Sequence, residues 1–174
     1  MIATETKQLK ITTLKTKQLK DAVTKSIGGK GPYEDMLLKV TSGSNVLEVI
    51  TADDDSYLSL FVEITDSECD LSVPINKKSL TNILKNIKDD TITLLLQEDD
   101  NAEYLIIKTE KANYRIKTTL NRIFEAYEEL PKEPKGKILL NGSAVAKAID
   151  SVIYATSKDK IDPESYKSIG FIFE

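Results

Sequence analysis

Histidine is missing from this chain altogether, and so is tryptophan. Without histidine the chain lacks the commonest general base and the commonest neutral metal ligand. Cysteine occurs once, at Cys69. One thiol closes no internal disulfide, and one thiol without imidazole makes a poor zinc site. That usage fits a reducing cytosol, so the expected location is cytoplasmic. No apolar run approaches the ~20 residues of a membrane span, and the opening MIATETKQLK carries no apolar core of a signal peptide. Gly28-Gly29-Lys30-Gly31 follows a helical pattern and runs into Pro32, whereas a phosphate loop follows a strand and needs Ser or Thr after its Gly-Lys. Asp53-Asp54-Asp55 lacks the spacing of a calcium loop. Asp, Glu, Lys and Ser can still run some chemistry, so the absence makes catalysis less expected without excluding it, and no cofactor or metal is expected.

What is present is a repeat. Leu71–Ile87, LSVPINKKSLTNILKNI, reads as a short strand, a turn at Pro74–Asn76 and a helix capped by Asn76. Leu80, Ile83, Leu84 and Ile87 form one apolar stripe, and Lys77, Lys78, Thr81, Asn82, Lys85 and Lys88 lie opposite. The same unit occurs at Leu9–Ile27 and again at Ile138–Ile153, with Leu19, Leu80 and Val145 in one place and Val23, Leu84 and Ile149 in another.

In chain order the pattern predicts a strand over 8–14, then a helix capped by Thr16 and ended by Gly28. Strands follow over 36–41, 46–52 and 57–65. It then restarts with a strand over 71–73, a helix over 76–88, and strands over 91–97, 103–109 and 113–119. This is a β-α-β-β-β unit written twice, an α+β fold with helices on one face of antiparallel sheets. Residues 120–130 read as loop or short helix, on Ile123, Phe124, Tyr127 and Leu130. The expected domains are 1–131, a Pro-rich linker over 132–137, and a third unit over 138–174. That unit is expected to hold a strand from Ile138, a helix capped by Ser143 and a strand over 169–173.

The formal net charge of −4 argues alone against nucleic acid, but the charge is sorted by element. The first helix sets Lys17, Lys20 and Lys25 against Asp21, and the second sets Lys77, Lys78, Lys85 and Lys88 against no acid. The segments 36–66 and 91–110 carry most of the nearby carboxylates. A lysine face is usually a solvated surface; it is also what attracts phosphate without reading bases.

Two β-α-β-β-β units in tandem, basic helices and a third unit after a linker resemble the bacterial sliding clamp, the beta subunit of DNA polymerase III. Val73-Pro74 with Lys77, Lys78, Leu80, Ile83 and Leu84 is similar to its strand-into-helix segment. Asn113–Thr118 is similar to a strand of alternating basic and apolar residues, and Ile169–Glu174 to the first strand after the helix of its middle domain. The family's loop arginine is absent here, and Lys30 is the nearest cation.

The resemblance covers residues 8–174 and implies a non-catalytic processivity factor of DNA replication that encircles duplex DNA. It implies phosphate contacts at Lys17, Lys20, Lys25, Lys30, Lys77, Lys78, Lys85 and Lys88, and a subunit interface at Ile83, Ile87, Tyr114 and Ile116. The implied partners are non-specific double-stranded DNA, a DNA polymerase, a clamp loader, and a second copy in a head-to-tail homodimeric ring. The family's pocket for partner peptides belongs to parts beyond these residues, so the chain is expected to be part of a divergent clamp or a shortened relative. The alternative is a clamp-fold protein-interaction module that closes no ring on DNA.

Overall fold

Strand β1 (Gln8–Lys15) runs without a loop into helix α1 (Thr16–Lys25). Thr16 is therefore already helical, and the N-cap falls on Lys15, which makes no side-chain cap; this corrects the expected Thr16 cap. The computed structural model describes residues 8–65, 67, 70–99, 102–120, 123–128, 138–156 and 168–169. After a 3-10 turn at Gly31–Tyr33 come β2 (Asp35–Val40), β3 (Val46–Ala52) and β4 (Tyr57–Glu63). Strand β5 (Leu71–Asn76) then leads directly into α2 (Lys77–Asn86), followed by β6 (Thr91–Asp99), β7 (Ala102–Lys108), β8 (Asn113–Lys117) and the short helix α3 (Ile123–Glu128). Pro74 lies inside β5, paired with Leu37, and not in a turn. β5 is a sheet edge, where a residue without an N–H is tolerated. Asn76 does cap α2, accepting from the Ser79 amide at 3.1 Å.

The chain divides into two compact units, Met1–Leu130 and Pro131–Glu174. In the first, the repeats exchange their leading strands. One sheet runs β1-β6-β7-β8 and the other β4-β3-β2-β5, antiparallel throughout. Single bridges, Leu14 to Ile64 and Ile75 to Thr118, tie the two sheets at both seams. The helix starts match as well: the Thr16 amide donates to the Asp90 carbonyl at 2.8 Å, and the Lys77 amide to the Glu34 carbonyl at 2.9 Å.

One core results. Leu19 and Val23 of α1, Leu80 and Leu84 of α2, and Leu38, Val49, Leu94 and Leu105 from both sheets are all buried in it. Each such side chain contributes ~1.5–3 kcal/mol gross.

In the second unit, α4 (Gly142–Val152) is capped by Asn141, whose side chain accepts from the Ala144 amide at 3.0 Å; Ser143 is not the cap. Residues 138–141 form no strand. The expected strand over 169–173 lies, beyond Ile169, outside the described residues.

Candidate nucleic-acid interface

Helices α1 and α2 pack side by side and antiparallel, and two lysines fasten them. The last carbonyls of a helix have no intrahelical donor and sit at its negative end. Lys20 of α1 donates to the carbonyl of Ile87, at the end of α2, at 2.7 Å. Lys77, at the start of α2, donates to the carbonyls of Ser26 and Ile27, at the end of α1, at 2.9 and 3.1 Å. Burial pushes the Lys77 ammonium below its ordinary pKa. Lys77 was expected among the freely solvated cations. It is instead half-buried, and with Lys20 it closes the neighbouring helix.

The other expected contact residues lie open. Lys17, Lys25, Lys30, Lys78, Lys85 and Lys88 are all exposed. A groove of about 150 Å³ between the helices is lined by Lys20, Val23, Thr24, Thr81, Leu84 and Lys85. No acid stands on α2, and Asp21 is the one acid on α1. The arrangement offers spaced ammonium groups among a few other polar side chains such as Thr24 and Asn82, and ammonium groups attract a phosphate backbone without reading bases. Among the described residues no cluster of three or more His, Cys, Asp or Glu side chains is placed to hold a metal, and no helix is long and apolar enough to cross a membrane.

No protein-family model and no curated protein matches the chain. Solved structures do. The Helicobacter pylori beta clamp bound to a DNA ligase peptide aligns with a TM-score of 0.65 at 17% identity, over 90% of this chain and 42% of that one. The beta chain of DNA polymerase III from Streptococcus pneumoniae gives 0.65 at 13% identity, over 89% and 42%. The DNA polymerase III subunit beta from Pseudomonas aeruginosa gives 0.63 at 16%, over 89% and 40%. The chain has the beta-clamp fold. It spans about two fifths of the length of the clamps it matches, 40–42% of each.

Within this clamp fold, two of the four residues expected at a subunit interface are withdrawn. Ile87 and Ile116 are 3% and 5% exposed and belong to the core, so they have no surface left to offer. Ile83 and Tyr114 are half-buried against that core. β8 is a sheet edge, and its outward Arg115 lies over the Tyr104 ring at 3.6 Å and pairs with Asp99 at 3.1 Å.

Sequence reasoning missed the lysine caps for a simple reason. By the alignment of the repeats Lys20 corresponds to Thr81 and Lys77 to Thr16, so neither cap recurs. A lysine in the first turn of a helix, against the dipole, was the available signal.

Proposed function

We propose that the first unit is part of a DNA-encircling sliding clamp, a non-catalytic processivity factor. The observation that carries this reading is the basic pair of helices α1 and α2, placed on a fold shared with the beta clamps. Lys17, Lys25, Lys30, Lys78, Lys85 and Lys88 are the phosphate contacts, each releasing condensed counterions on binding. Lys20 and Lys77 hold the helices that present them. In an assembled clamp the β8 edge, with Ile83 and Tyr114, is the subunit interface of a head-to-tail ring, and polymerase and clamp loader are the protein partners. The setting is cytoplasmic DNA replication.

Fluorescence anisotropy of a short labelled duplex, titrated across ionic strength, tests it. The expected result is weak binding without sequence preference. The salt slope should fall by roughly one unit for each of Lys17, Lys25, Lys78 and Lys85 replaced by Gln. Binding that survives the fourfold replacement unchanged refutes the reading. The net charge of −4 favours one rival, a clamp-fold module that binds protein and closes no ring. Absence of duplex binding even at low salt selects it.

A further inference from the structure

Helix α3 does not join the main core. It packs on the opposite face of the second sheet, where Phe124, 5% exposed, makes a separate apolar cluster with Leu37 and Ile50. Leu37 and Ile50 are cross-strand partners on β2 and β3. One helical turn on, Tyr127 packs on the same cluster, and its ring lies 5.6 Å from that of Tyr57. Its hydroxyl donates to Glu48 Oε1 at 2.7 Å and lies 2.7 Å from Ser59 Oγ, which itself donates to the same Glu48 oxygen at 2.6 Å. Burial is the main reason that the Tyr127 phenol is pushed up.

The two repeats differ at this spot. Asp35 pairs with the cap residue of α2, Asn76, and Thr91 with the cap residue of α1, Lys15. Two residues on from each, Leu37 therefore corresponds to Thr93, and their cross-strand partners, Ile50 and Lys108, correspond too. Where one sheet carries Leu and Ile under α3, the other carries Thr and Lys beside an open hollow of about 520 Å³. Leu37 and Ile50 have their cover in α3, and the corresponding positions of the first sheet, Thr93 and Lys108, offer no such apolar pair.

We propose that α3 is a latch. The outer face of β2, β3 and β4 is a socket for a helical turn with aromatic residues at i and i+3, the second bearing a hydroxyl. The occupant is Phe124-Glu125-Ala126-Tyr127 of the same chain. α3 is the last described element before the unit boundary, so the latch fixes the point from which the chain leaves the first unit, whether or not that unit binds DNA.

The full chain supplies the test. L37T/I50K copies the residues that the first sheet carries at the same positions, so the sheet should persist while the socket disappears. Chymotryptic cleavage after Tyr127, read by mass spectrometry, should quicken at least about tenfold, the least that loss of a buried aromatic contact implies. Amide exchange in β2 and β3 should stay within about twofold. Ser59→Ala, which keeps Tyr127 and removes one partner of its hydroxyl, should quicken cleavage about fivefold, the worth of one net hydrogen bond. If L37T/I50K loosens the strands as well, Phe124→Ala leaves the sheet untouched and is read instead. Cleavage after Tyr127 that is as fast in the wild type as in these variants overturns the latch, and so does cleavage that stays slow in all of them.

Discussion

Lysine plays two roles on the helix pair, and the side chains that play them are adjacent in sequence. Lys77 reaches two carbonyls at the end of α1, while Lys78, one residue on, points into solvent. Hydrogen bonds from a charged donor to the negative end of a helix contribute about 1–2 kcal/mol at a partly buried site. Lys77→Met should therefore lower the unfolding free energy measured in urea by that amount and leave the salt slope of duplex binding as it is. Lys78→Met should do the reverse, with stability within about 0.5 kcal/mol of wild type and the slope reduced by roughly one. Equal loss of stability in both variants would show that position along the helix, and not the partner carbonyl, sets the role.

At the scale of strands and helices, periodicity marks the elements of the first unit but not their pairing. Leu80, Ile83, Leu84 and Ile87 spell out a helix because burial of one stripe is a local pattern. The exchange of β1 and β5 between repeats leaves no local trace, since both strands alternate in the same way wherever they pair. Leu37 and Ile50 did carry a signal. Each breaks the alternation of its strand by adding an apolar residue on the outer face, which α3 covers.

The β6–β7 hairpin shows a local conflict of the opposite kind, with Glu98 directly across from Glu103. Burial first, and the Glu98 charge second, hold the Glu103 carboxyl above its ordinary 4.5. The folded state thus keeps that proton to higher pH than the unfolded chain does. Its contribution is fully present below the unfolded value and is lost as pH rises through the folded one. Glu103→Gln should raise stability at neutral pH by a few tenths to ~1 kcal/mol and flatten the fall seen as pH climbs from about 4.5. An unchanged pH profile of the unfolding midpoint would remove Glu103 from the account.

Considered whole, the first unit is held together by the exchange itself. Leu71, Val73 and Ile75 of β5 extend the core face of the sheet that belongs otherwise to the first repeat, and Leu14 of β1, paired with Ile92 of β6, lies in the same core. Cutting the chain between the repeats, into residues 1–65 and 70–130, strips each sheet of an edge strand and each helix of its partner. Several buried side chains at ~1.5–3 kcal/mol apiece are lost to each half, against a total stability of about 5–15 kcal/mol for a domain. Neither half should then melt cooperatively by circular dichroism. Mixed in equal amounts, the halves should regain the cooperative transition, because the surface between them is the core and buries the same stripes of Leu19, Val23, Leu80 and Leu84. A half that melts cooperatively alone would mean that each β-α-β-β-β repeat is self-sufficient and the strand exchange incidental. Recovery only on mixing makes the helix pair, and with it the lysine face, a property of the two repeats together.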